Sequence, residues 1–200
     1  APLPLGGITQ TDMLTLVGAS VLLWFFGLVI GDRKITRVEG VFMLLCTNDA
    51  KNNAQTTGTI VRYNLSVNDG KDGGMVIDVT SSCYDSQIYN NTIYCGKYDV
   101  RAVNFVNYDG GSNESKNTVF TNNIFYADNG KKVTFNFNRL ESATFNNNVF
   151  FNMDPPSDPK AKVSGSITED PKFKQAGATG NGLEAMAKKY ALSNSGLLNK

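Results

Sequence analysis

The residues with the most chemical potential lie in Asn68-Asp69-Gly70-Lys71-Asp72-Gly73-Gly74, where two carboxylates stand three residues apart among glycines. Asp69 and Asp72 in such a loop can hold a hard cation such as Ca²⁺ through oxygen. The stretch misses an EF-hand loop at several positions and lacks its closing Glu, and Asp-Gly and Gly-Gly are equally the residues of a plain turn. A polysaccharide lyase needs a base beside a uronate carboxylate, with a cation neutralising that carboxylate. Lys71 and Arg101, with Lys97, are the residues that can act as base or clamp. Asp78, with Asp85 and Asp99, adds carboxylates. A glycosidase needs two facing carboxyl groups, and the spacing of Asp78 and Asp85 does not establish such a pair. Against all of these stands the ordinary fate of charged loop residues, which is solvation. Tyr63, Tyr89 and Tyr94, continued by Tyr126 and Phe151, form an aromatic series. Exposed, it would stack on sugar rings; buried, it would be core.

These residues hang on a phrase that recurs four times: Val61-Arg62-Tyr63-Asn64-Leu65-Ser66-Val67, Ile88-Tyr89-Asn90-Asn91-Thr92-Ile93-Tyr94, Phe120-Thr121-Asn122-Asn123-Ile124-Phe125-Tyr126 and Phe145-Asn146-Asn147-Asn148-Val149-Phe150-Phe151. Aligned on Asn64, Asn91, Asn123 and Asn148, the copies are 27, 32 and 25 residues apart. Repeats at such a period cannot bury their apolar residues alone and stack to do so. The local period is nearer two than 3.6, so each copy predicts two short strands meeting at an Asn corner. Stacked at the strand spacing, the four Asn side chains should bond to one another as a structural ladder. A second strand set follows each corner: Met75–Val79, Val100–Val106 and Val133–Phe137. The reading is a mainly β chain, a short right-handed parallel β-helix over 47–200 ending in a capping segment. An antiparallel sandwich of short strands fits the same alternation.

Arg62-Tyr63-Asn64-Leu65-Ser66-Val67-Asn68-Asp69-Gly70, Ile88-Tyr89-Asn90-Asn91-Thr92-Ile93-Tyr94 and the closing Asp170-Pro171-Lys172-Phe173 with Tyr190-Ala191-Leu192 carry a resemblance. Over residues 57–198 the chain resembles the β-helix family of pectate-lyase-like and related carbohydrate-active proteins. The resemblance implies polysaccharide binding or processing. No residue here matches a lyase active-site motif, so it implies no catalytic residue.

Before this body, Met13–Ile30 is an 18-residue apolar run flanked by Asp12 and Asp32, long enough to cross a bilayer and contact its lipid. Arg33, Lys34 and Arg37 follow, and the positive-inside rule puts this flank in the cytoplasm. The family resemblance puts the β-helix outside the cell. A second apolar run, Val38–Cys46, reads as a truncated helix, giving a 1–46 membrane domain. Thr11-Asp12-Met13-Leu14, Leu23-Trp24-Phe25 and Ile35-Thr36-Arg37-Val38-Glu39-Gly40-Val41 resemble the end of bacterial sodium/calcium exchangers. The ion-binding acidic repeats of that family are missing, so no transport follows. A junction near Cys46/Thr47 and a chimeric product are one alternative; a purely structural surface solenoid is another.

Composition narrows the classes. A net charge of +1 gives no field for nucleic acid. With no His, Ser-His-Asp and Cys-His catalysis and His-ligated metal are excluded within this chain. Three cysteines without CxxC spacing make neither a zinc site nor a disulfide framework, and Cys83 and Cys95 are expected unpaired.

Overall fold

The structure is a computed structural model that describes residues 41–46, 54–71, 74–80, 82–107, 113–178 and 183–193. Short runs of β-branched and aromatic residues form strands because such side chains suit a pleated, half-buried surface, and Asn, Asp and Gly interrupt them. In chain order the strands are β1 (Met43–Leu45), β2 (Thr56–Thr57), β3 (Ile60–Arg62), β4 (Leu65–Val67), β5 (Met75–Thr80), β6 (Cys83–Tyr84), β7 (Gln87–Tyr89), β8 (Thr92–Cys95), β9 (Val100–Val106), β10 (Thr118–Thr121), β11 (Ile124–Ala127), β12 (Val133–Asn136), β13 (Ala143–Asn146), β14 (Val149–Phe151) and β15 (Ala161–Ser164). One short helix, α1 (Leu183–Lys189), follows.

No strand pairs with its neighbour in sequence. Each pairs with its equivalent one repeat away, giving sheets ordered β1-β5-β9-β12, β3-β7-β10-β13-β15 and β4-β8-β11-β14, with a small β2-β6 pair. Every one of these pairings is parallel. The chain is thus mainly β with parallel sheets, and the antiparallel sandwich is excluded as its architecture. Among the described residues the one antiparallel contact is the isolated bridge between Phe173 and Leu192.

The register aligns like with like. Val61 faces Ile88, Ile88 faces Phe120, Phe120 faces Phe145 and Phe145 faces Val163. The first four are buried, and the Phe120 and Phe145 rings lie flat on one another at 4.3 Å. Phe125 and Phe150 repeat the motif at 5.4 Å from β11 and β14. Phe135 of β12 meets Phe125, Phe145 and Phe150 edge-on, so the three large sheets share one aromatic core. A second apolar cluster lies on the other side of the β4-β8-β11-β14 sheet. There Tyr94, Ile124, Tyr126 and Val149 pack under Phe173, Met186 and Tyr190 of the C-terminal segment.

The expected truncated helix at the end of a 1–46 membrane domain is corrected over Met43–Leu45, which form a strand paired with Ile77–Val79. As a strand, Met43 and Leu45 pack against the core while Leu44 points outward, and the backbone bonds to β5. Contacts divide the chain between Glu39 and Gly40, and the described residues all belong to the second unit. The apolar run 13–30 lies outside the described residues. Among those described, no helix is long and apolar enough to cross a membrane.

Candidate functional site

The outward side chains of the five-stranded sheet run in two columns set by the register. Ile60, Gln87, Val119, Thr144 and Lys162 form one; Arg62, Tyr89, Thr121, Asn146 and Ser164 form the other. Period-two alternation places them opposite the buried Val61, Ile88, Phe120 and Phe145. Neither column contains a carboxylate, and the two charges are both cationic.

The next residue in each repeat turns the corner with positive φ: Tyr63 at 57°, Asn90 at 54°, Asn122 at 54°, Asn147 at 53° and Gly165 at 60°. The left-handed residue thus stands one position before the ladder asparagine, a correction to the corner expected at the asparagine itself. The ladder residues are engaged in bonding. The backbone N–H and Nδ2 of Asn64 donate to Oδ1 of Asn91 at 3.0 and 2.9 Å. Those of Asn91 donate to Oδ1 of Asn123 at 3.0 and 2.9 Å, and those of Asn123 to Oδ1 of Asn148 at 2.9 and 3.0 Å. Spare Nδ2 protons go to the carbonyls of Val61, Ile88 and Phe120. The asparagine-to-asparagine links therefore have one polarity, the earlier residue donating to the later one in each, and the column fixes the height of the face beside it.

Asn or Gly suits the left-handed position, whereas an ordinary side chain costs about 1–2 kcal/mol there. Tyr63 breaks that pattern and is 70% exposed. Its ring meets Tyr89 edge-on at 6.2 Å. The Arg62 guanidinium lies 5.6 Å from the Tyr63 centroid and 6.0 Å from that of Tyr89, and donates to the Tyr89 hydroxyl at 3.0 Å. Beside this trio is a shallow depression of about 270 Å³ lined by Gln87, Tyr89, Asn90, Val119, Thr121 and Asn122. An exposed ring next to amides and hydroxyls can stack on one face of a polyhydroxylated ring while bonding to its edge. The two columns do not offer the facing carboxylate pair of a glycosidase.

The other sequence candidates lie elsewhere. Tyr94 is only 1% exposed, and its hydroxyl donates to Asp128 at 2.5 Å. Burial, then Asp128, holds its pKa well above the ordinary tyrosine value. It stacks on Tyr126 at 5.3 Å in the covered cluster, so of the two readings of the aromatic series Tyr94 takes the buried one: β8 turns it to the sheet face that the C-terminal segment closes. Asp69 accepts from the Ser66 hydroxyl at 2.8 Å, and burial raises its pKa against the lowering effect of hydrogen bonds from Ser66 and Val67. Asp72 lies outside the described residues. Lys71 is exposed, and its carbonyl accepts from the Gly74 amide, closing a tight turn. No three acidic or cysteine side chains converge on a possible metal position among the described residues. Asp78 is buried on β5 and accepts from Asn104 at 2.6 Å, which in turn accepts from Asn136 at 2.7 Å. Arg101 is half-buried on β9. Lys71, Arg101 and Asp78 thus belong to the β5 and β9 region, in a different sheet from Tyr63 and Tyr89. Cys83 and Cys95 are buried and in no disulfide, and burial pushes Cys95 up to about 12.

Sequence reasoning passed over Arg62, Gln87 and Asn122. A signal existed: a tyrosine stands where Asn90, Asn122 and Asn147 stand in the other repeats. Compared with known proteins, the chain matches no family model, no curated sequence and no solved structure.

Proposed function

We propose that this chain is a right-handed parallel β-helix of pectate-lyase-like type that binds polysaccharide on the outer face of its five-stranded sheet. The observation that carries the reading is Tyr63. A bulky ring is kept in a backbone region that favours Asn or Gly, exposed, braced by Arg62 and Tyr89, and set beside a polar depression. Strain retained at an exposed side chain is a pointer to function. Binding without cleavage is the reading that a face free of carboxylates supports. The apolar run 13–30 would serve as the tether to a membrane, with the β body held against a glycan-bearing surface.

Affinity electrophoresis of the full chain through gels containing pectate, alginate or a neutral glucan tests this. Retardation by at least one polymer, lost in Tyr63→Ala and weakened in Arg62→Ala, is expected. Equal mobility in every gel, or retardation that Tyr63→Ala leaves unchanged, would refute it.

A further inference from the structure

The outer face of the five-stranded sheet carries charge at its two ends and none between. At the β3 level the outward and corner residues are Ile60, Arg62 and Tyr63. The β7, β10 and β13 levels present Gln87, Tyr89 and Asn90, then Val119, Thr121 and Asn122, then Thr144, Asn146 and Asn147. The β15 level presents Lys162, Ser164 and Gly165. The whole chain has 19 basic and 18 acidic residues, so a face with two cations and no carboxylate reflects segregation rather than composition. Asp85, at the left-handed corner that leads into β7, has its carboxylate engaged by Nδ2 of Asn117 at 3.0 Å. Arg62 and Lys162 are both exposed. The Arg62 guanidinium gives one N–H to the Tyr89 hydroxyl and carries others beside it.

The strand order fixes how far apart the two cations stand. β3 and β15 are the opposite edges of the sheet, four strand steps apart, and the register does not slip in any of the pairings between them. Lys162 lies in the column of Ile60, two residues along the strand from the column of Arg62. Four steps of about 4.8 Å, offset by two residues of about 3.3 Å, put the two Cα atoms about 20 Å apart. That exceeds the screening length of about 8 Å at physiological salt, so the cations act as separate anchors and not as one field. Between them lie amides and hydroxyls, with the shallow depression at the β7 and β10 levels. Building on the glycan reading above, we infer that the bound chain runs across the strands, about one sugar ring per strand level, and carries acidic groups that Arg62 holds at one end and Lys162 at the other. Arg62 meets a carboxylate or sulfate with its planar fork, and Lys162 meets one as a point charge. Tyr63 stacks on the ring at the Arg62 end, and the neutral levels bond to hydroxyls. A chain too short to bridge four steps engages one cation only, and a neutral chain engages neither. Lys162 is thus a specificity-determining residue remote from the Tyr63 trio.

The test is calorimetric titration of the full chain with hexasaccharides of galacturonate, of mannuronate and of sulfated galactose, with the trisaccharide of each, and with a neutral glucan hexasaccharide. At least one acidic hexasaccharide is expected to bind, and to bind about fivefold more weakly to Lys162→Gln. The thermal melt of that variant should be unchanged, since Lys162 is exposed. The matching trisaccharide should bind more weakly and be indifferent to Lys162→Gln, while Arg62→Gln weakens both lengths. Which acidic sugars bind assigns the recognised charge to carboxylate or to sulfate. Hexasaccharide affinity that Lys162→Gln leaves intact would overturn the inference, as would an equal loss for trisaccharide and hexasaccharide. Binding of the neutral glucan alone, lost in Tyr63→Ala, would overturn it while leaving the glycan reading in place. Binding of none of these sugars and of no polymer in the gels would remove both.

Discussion

Tyr89 and Tyr94 lie five residues apart, on either side of Asn91, yet they meet opposite surroundings. Tyr89 stands on the open outer face of the five-stranded sheet, bonded to Arg62 and bordering the shallow depression. Tyr94 stands on the outer face of the four-stranded sheet, sealed under Phe173 and Tyr190, with Tyr126 at its side. Both faces belong to the same repeats and share the ladder between them. The difference comes from what the rest of the chain lays on each: the C-terminal segment covers an apolar row, while the polar row remains free. A tyrosine in this chain is therefore covered or open according to its sheet.

Four measurements test that contrast. The largest effect is expected at the sealed face. Tyr94→Ala removes ring contacts to Tyr126 and Tyr190 and the bond to Asp128, and should cost about 3–5 kcal/mol in denaturant unfolding. A cost below about 1 kcal/mol would show that the C-terminal cover contributes little.

The second cuts the seam joining the faces. Asn123→Ala leaves the backbone N–H and Nδ2 of Asn91 without their shared acceptor, at about 1–3 kcal/mol for each group left unsatisfied. Glycan retardation should weaken as well, because the heights of Tyr89 and Thr121 depend on the ladder. Unchanged stability would mean that the sheets hold their register without it.

The third uses pH. Burial raises Tyr190 to about 12 from an ordinary 10.0, and raises Tyr94 and Tyr126 in the same direction. The folded state thus holds protons that the unfolded state releases. This contribution is complete below pH 10.0 and is lost as pH rises through about 12. Tyr190→Phe should flatten the alkaline fall in stability, and an unaltered slope would assign that fall to other groups.

The smallest effect belongs to the open face. Tyr63→Gly relieves a left-handed backbone that glycine adopts freely, and should leave stability unchanged or raise it by up to about 1 kcal/mol. It should nevertheless abolish retardation in the glycan gel. A loss of stability at this position would make Tyr63 a packing residue and remove the observation on which binding rests.

Much of this architecture was legible along the chain. The ladder Asn64-Asn91-Asn123-Asn148 and the inward column Val61-Ile88-Phe120-Phe145 follow from spacing, because a period of two assigns each residue a side and parallel stacking in register puts equivalents together. The strands Met75–Thr80, Val100–Val106 and Val133–Asn136 were visible for the same reason. The left-handed corner was misplaced by one residue. Asparagine serves both as corner and as ladder, and composition cannot separate the roles when Asn90-Asn91 and Asn122-Asn123 are adjacent. Met43–Leu45 read as helix because a short apolar run carries no period of its own, and only β5 across from it decides the matter.

The sequence by itself determined which residues are equivalent, which side of its strand each one takes, and that four asparagines fall in line. These are local consequences of backbone geometry repeated at a near-regular spacing. Exposure is not local. Tyr94 is buried because Phe173 and Tyr190, nearly eighty and a hundred residues later, fold over it (about 1.5–3 kcal/mol of burial per large apolar side chain is the scale of what drives them there). Tyr63 and Tyr89 remain open because no described segment does the same for them. The site is therefore a product of the tertiary structure, since a surface is defined by what other segments leave uncovered.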